Sequence, residues 1–115
     1  MQRLTPYLER SSVSEGTVLW TQDEDSDGLY LIESGILRAS YKFAEHIPPL
    51  EESMVPGTLA GELSALTGLP RNASVVVERP AILWKLSTAN MQRLEADDPA
   101  LARTFVLLVM KGIWY

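Results

Sequence analysis

Three short runs in the first half of the chain each begin on a glycine: GTVLW (residues 16–20), GLYLIES (28–34) and GILRASYKF (35–43). All three are rich in β-branched and aromatic residues, the composition of strands rather than helices. In the third run Ile36, Arg38, Ser40 and Lys42 alternate with Leu37, Ala39, Tyr41 and Phe43, the two-residue period of a half-exposed strand. Ser34-Gly35 between the second and third runs is a turn signal. HIPPLEES (46–53), with two prolines and two glutamates, predicts a loop ahead of a short strand near Met54-Val55, and PGT (56–58) predicts the next turn. ASVVVE (73–78) and AILWKLS (81–87) predict two more strands, separated by Arg79-Pro80. Many short strands at roughly 8–12-residue spacing imply a mainly β fold, a small β-roll or barrel.

The ends have a different period. TPYLERS (5–11) predicts a short helix with Thr5 as cap and Pro6 at its first position. From Ser87 onward the pattern is helical. Ser87 or Thr88 caps one helix running to about Ala96, and Asp97 or Asp98 before Pro99 caps a second. Leu101, Phe105, Leu108 and Val109 form the apolar stripe of that second helix. At 115 residues the chain is expected to be a single domain, 1–115.

Composition removes whole classes of function. Without cysteine there are no disulfides, thiolate metal sites or cysteine nucleophile. His46 is the only histidine, too few for a metal-dependent barrel, and no G-x-S-x-G elbow accompanies it. The chain is not expected to be an enzyme or to carry a cofactor. DEDSDG (23–28) matches the first half of a calcium loop, but the twelfth position is Ser34 where a bidentate glutamate is required. An exposed turn between strands accounts for those acids. A net charge of -5 is the wrong sign for a nucleic-acid surface. No run approaches the ~20 apolar residues of a membrane span, so no direct insertion is expected. Trp20 and Trp84 lie within apolar strand runs and are expected to pack, and the NAS sequon (72–74) reads as incidental.

The stretch GELSALTGLPRNASVVV (61–77) is the least ordinary. Gly61 permits close approach to the backbone, and residues 63–66 can form one helical turn with unpaired N–H groups at its start. Arg71 offers a forked pair of donors suited to phosphate, with Asn72 beside it and the Ser74 hydroxyl two residues on. Two readings stand level on this chemistry: an anion cradle, or a helix-to-strand connection in which Glu62 and Arg71 form a surface ion pair.

The ordered string Gly61-Glu62-Leu63-Ser64-Ala65-Leu66 followed by Pro70-Arg71-Asn72-Ala73-Ser74-Val75 resembles the phosphate-binding cassette of the cyclic nucleotide-binding domain family. EGTVLWTQDEDSDGLYLIESGILRA (15–39) is similar to that family's first strands, and the likeness covers about residues 4 to 110. The resemblance implies an antiparallel β-roll of jelly-roll type flanked by helices, with cAMP or cGMP as ligand. It puts Arg71 and Asn72 on the cyclic phosphate and Glu62 on the ribose 2′-hydroxyl. Backbone groups of Gly61, Leu63 and Ser64 would complete the sugar-phosphate pocket, and Ser74 would lie nearer the base. Ala60 and Asn72 depart from the family's usual residues, so the resemblance does not choose between the two nucleotides. The family's final lid helix is expected to be short or absent.

A narrower likeness joins GTVLWTQDEDSDGLYLIESGILRA, ESMVPGTLAGELSAL, ILWKL and ARTFVLLVMKG to the cytosolic C-terminal extension of fungal sulfate-permease-type anion transporters. It implies a cytosolic regulatory piece of a larger, membrane-bound protein. The rival expectation is a nucleotide-blind roll used for protein interaction. In that reading the apolar tail FVLLVMKGIWY (105–115) packs on a partner or on a second copy, with Trp114 in the contact.

Overall fold

A computed structural model describes residues 3–111. A 3-10 turn, Thr5–Tyr7, leads into β1 (Glu9–Val13) and β2 (Val18–Trp20). The long strand β3 (Gly28–Tyr41) is followed by β4 (Leu50–Met54), β5 (Leu59–Ala60) and the short helix α1 (Glu62–Thr67). A second long strand, β6 (Ser74–Ser87), precedes α2 (Thr88–Asp97) and α3 (Pro99–Met110). The strands form one antiparallel sheet in the order β1-β6-β3-β4, with β2 paired to β6 and β5 to β3. The sheet curls into a β-roll, as expected.

The two long strands are each one element where the sequence predicts two. Ser34-Gly35 is not a hairpin turn, and Arg79-Pro80 does not end a strand. The two breaks face one another. A Cβ on Gly35 would lie 2.4 Å from the Pro80 carbonyl oxygen and 2.5 Å from the Ala81 Cα. Register shifts on either side of Ser34 and Ile36 leave Pro80, which has no N–H, outside the ladder. Both strands therefore bend together at one bulged corner. The buried positions of β3 change parity across it, from Ile32 to Leu37 and Ala39, so one strand lines two differently oriented walls.

Three further boundaries differ. Leu50–Ser53, assigned to a loop by its prolines and acids, is strand β4, because each residue pairs with β3 across Arg38–Tyr41. The predicted N-terminal helix is only the 3-10 turn, with Leu4 and not Thr5 at its cap position. Residues 9–13 are strand instead, paired with residues 81–85 of β6. The C-terminal half follows expectation: the Ser87 hydroxyl accepts from Asn90 N at the start of α2, and the Asp98 carboxylate from Leu101 N at the start of α3.

Two apolar clusters result. Trp20, Ile32, Leu37, Val75, Val77 and Leu83 fill the roll. Leu4, Leu29, Leu86, Leu94, Ala102 and Phe105 seat the helices on one end of it. Of the predicted α3 stripe, Phe105 is buried and Leu101 and Val109 pack at the margin, but Leu108 faces solvent. Trp114 and the end of the apolar tail lie outside the described residues. Among the described residues no helix is long and apolar enough to cross a membrane.

Gly35 has φ +88° and no room for a side chain, so Gly35→Ala should cost at least about 2 kcal/mol. Calorimetry should show Tm falling by roughly 8 °C or more; an unchanged Tm would mean the corner is not built on this glycine.

Candidate functional site

Arg71 sits where a charged side chain is least expected. It is 2 % exposed, beside the apolar filling of the roll. Its guanidinium lies 4.0 Å above the ring of Trp20, which in turn stacks on Tyr30. The Trp20 ring is fixed by its indole N–H, which donates to the Ala73 carbonyl at 3.0 Å. Arg71 Nη1 donates to the Gly61 carbonyl at 3.0 Å; Nη2 donates to the Gly28 carbonyl at 2.8 Å and to Asp27 Oδ1 at 3.3 Å. Nε is buried with no hydrogen-bond partner among the described residues. Burial pulls the Arg71 pKa below the usual guanidinium value, against the opposing pull of Asp27.

The backbone holds Arg71 as firmly as its side chain does. Asp23 N donates to the Arg71 carbonyl, and Arg71 N donates to the Glu24 carbonyl, both at 2.8 Å. The loop 21–27 thus clasps residue 71 from both sides, aided by a left-handed Asp23. At the end of that loop Asp27 accepts from Lys85 Nζ at 2.7 Å as well as from Arg71. The hydrogen bond from Lys85 holds the Asp27 carboxyl below its ordinary value, with the charges of Lys85 and Arg71 adding to it.

Gly61 caps α1 at φ +77°, and a Cβ there would lie 2.2 Å from Arg71 Nη1. Only glycine brings the first turn of α1 this close to the arginine. The first N–H groups of that helix have no partner within it. The Ser64 hydroxyl, also buried, donates to the Pro70 carbonyl and ties the helix to the turn before Arg71.

These parts frame a cavity of about 290 Å3. Of the residues singled out in the sequence, Gly61, Glu62, Leu63, Ser64, Arg71 and Asn72 line it together. Ser74 does not. Its hydroxyl accepts from Gln22 N at 2.9 Å, and it borders a separate open cleft with Lys42 and Phe43. The ion pair between Glu62 and Arg71 is absent: the arginine is buried and its carboxylate partner is Asp27. Glu62 makes no protein hydrogen bond among the described residues. Sequence reasoning gave no site role to Trp20, Asp27, Tyr41 or Glu52. The signal for Asp27 was present, since a buried arginine requires a carboxylate and DEDSDG offers one on a neighbouring loop.

The model of the cyclic nucleotide-binding domain family matches residues 10–98. The chain belongs to the cyclic nucleotide-binding domain family. It is 33% identical over 84 residues to the acetyltransferase Pat of Mycolicibacterium smegmatis, covering 73% of this chain and 25% of that protein. Among solved structures, a cyclic nucleotide-binding domain from Methylobacillus flagellatus KT superimposes with a TM-score of 0.88 at 23% identity, covering 96% of this chain and 62% of that one. The regulatory domain of Toxoplasma gondii PKA, solved with cAMP, gives a TM-score of 0.74 at 22% identity, covering 95% and 41%. The vacuolar basic amino acid transporter VSB1 of Saccharomyces cerevisiae is 27% identical over 111 residues, 94% of this chain and 10% of that protein, which does not show the expected sulfate-permease context. The chain thus spans a quarter or less of these curated relatives.

Because the Asp27 carboxyl is held below its free value of 3.8, its contribution to stability is complete above that value and is lost as pH falls through the lowered one. Wild-type Tm should therefore drop more steeply between pH 5 and pH 2 than that of Asp27→Asn, which should already be less stable at pH 7. Parallel Tm–pH curves for the two proteins would contradict this.

Proposed function

We propose that the chain is a non-enzymatic regulatory module that holds a cyclic purine nucleotide in the cavity framed by β5, α1 and the start of β6. The observation that carries this reading is Arg71 Nε, a buried donor without a partner on a residue that lines the cavity. A buried guanidinium N–H left unsatisfied costs more than it contributes, and an anionic oxygen arriving there removes the deficit. Arg71 then meets the cyclic phosphate with Asn72 beside it. Glu62, whose side chain makes no hydrogen bond among the described residues, accepts from the ribose 2′-hydroxyl. The solved relative with cAMP supports this ligand class.

A route from ligand to signal runs through α1. Its Ala65, with Leu59 of β5, packs against the cluster that seats α2 and α3. A ligand that repositions α1 favours one seating of those helices over another, which is the differential contact a switch requires. Within a larger protein this module would act as a cytosolic regulatory piece. The likeness to the vacuolar transporter across nearly the whole chain supports a membrane transporter as that protein. Fractionation of cells expressing the native gene tests this: the parent should sediment with membranes, and recovery in the soluble fraction would refute the transporter reading.

The alternative, a nucleotide-blind interaction roll, has its own observation. The guanidinium ends of Arg71 are held by Gly61, Gly28 and Asp27, so the roll is braced before any ligand arrives.

Titration calorimetry separates the two. Wild type should bind cAMP or cGMP with micromolar or tighter affinity. Arg71→Lys, which keeps the charge but loses the planar fork, should weaken binding at least tenfold. The 2′-deoxy nucleotide should bind about tenfold more weakly than its parent, and Glu62→Gln should narrow that difference. No heat with either nucleotide at high micromolar concentration would leave the nucleotide-blind reading.

A further inference from the structure

β4 has the sequence LEESM and lies at the edge of the sheet. Residues directly across a ladder share a face, so pairing identifies the inward side of β4. Met54 faces Leu37 and Glu52 faces Ala39, both partners buried in the core of the roll; Leu50 faces Tyr41. Glu51 points the other way, where it meets Arg38, while Ser53 also borders the cavity. The row on the roll side is therefore Leu-Glu-Met, in which Leu50 and Glu52 are exposed at the sheet edge and Met54 is half-buried. Glu52, Tyr41, Ala39 and Met54 all line the cavity that Arg71 and Asn72 close at another point. Glu52 has no cation beside it. Among the described residues its side chain accepts one hydrogen bond, from the Tyr41 hydroxyl at a long 3.5 Å.

An ionised carboxylate accepts hydrogen bonds and donates none. With the phosphate end of the cavity fixed at Arg71, the wall formed by β3 and β4 is left for the base. We propose that Glu52 is a specificity determinant that selects a purine presenting adjacent N–H donors, making guanine the preferred base over adenine. This rests on the nucleotide reading of the site. Guanine offers N1–H and the N2 amino group side by side, matching the two carboxylate oxygens as a fork. Adenine offers one amino group next to N1, whose lone pair faces the carboxylate and repels it. A polar partner matched by one base and opposed by the other discriminates between them. Met54 and Ala39 supply the apolar floor on which either purine can lie.

The test is calorimetric titration of the 115-residue chain with cGMP, cIMP and cAMP, on wild type, Glu52→Gln and Glu52→Ala. For wild type the expected order is cGMP tightest, cIMP (N1–H without the N2 amine) intermediate and cAMP weakest, with at least tenfold between the extremes. Glu52→Ala should weaken cGMP far more than cAMP and bring their ratio near one. Glu52→Gln, which keeps the shape but exchanges one acceptor for a donor, should do most of the same. Equal affinities in wild type, or a ratio unchanged in Glu52→Ala, overturn the selectivity while leaving the nucleotide site standing. Failure of all three ligands overturns both. An inward charge on an edge strand also discourages strands of other molecules from pairing there. If Glu52→Ala keeps the wild-type ratio and instead self-associates by light scattering, Glu52 guards the edge and the proposal fails.

Discussion

A guanidinium buried in the wall of a β-roll is the constraint around which the rest of the chain is arranged. Removing the carboxylate or carbonyl partners of such a charge costs on the order of 3–5 kcal/mol, so each neighbour of Arg71 is committed. Gly61 must lack a side chain, Asp27 must reach back from its loop, and Trp20 must present its face. The cation over the indole contributes about 2 kcal/mol when desolvated, and the indole is held by the carbonyl of Ala73, two residues beyond the arginine. Strand β2, the acidic loop, α1 and the start of β6 are therefore one interlocked unit. That unit includes a donor, Nε, for which the described residues supply no acceptor.

The corner at Gly35 and Pro80 makes this unit geometrically possible. Two straight 14-residue strands would form a flat ribbon with one buried face. Bending both at the same point lets residues on either side of the corner fill the roll, Ile32, Ala81 and Leu83 included, while the far end of the strands carries the helices. Leu37, Ala39, Val75 and Val77 belong to the first cluster; Leu29 and Leu86 belong to the second. The strands thus connect the site to the helices without any hinge between them, and α1 makes the second connection through Ala65.

Much of this was legible in the sequence, and what was missed has a common cause. Periodicity marked the strand runs, Ser87 and Asp98 marked the helix starts, and the spacing from Gly61 to Asn72 marked the cavity. Local signals failed where their meaning depends on a partner distant in sequence. Ser34-Gly35 and Arg79-Pro80 each look like chain reversals alone, and only their juxtaposition makes them a shared bulge. Leu50–Ser53 looks like loop because its composition is polar, and the ladder to β3 decides otherwise. The resemblance puts Ser74 near a base, yet its hydroxyl accepts from Gln22 N and it borders a separate cleft. Asp27 was read as a solvated acid because nothing local shows that a buried cation lies beside it.

The charge layout of the cavity narrows its ligands further than the arginine alone would. Arg71 and Lys85 are opposed by Asp27, so this trio carries about one net positive charge, with Arg71 alone of the three lining the cavity. Glu62 on α1 and Glu52 on β4 add two acceptors elsewhere in its lining. A small inorganic anion entering there would meet those carboxylates with nothing to offer them, and like charges at such range repel. A ligand that pairs one anionic group with separate hydroxyl and N–H donors satisfies all three stations at once. Repulsion of the wrong anion and recognition of the right one then come from the same residues, which is how a single small cavity achieves selectivity.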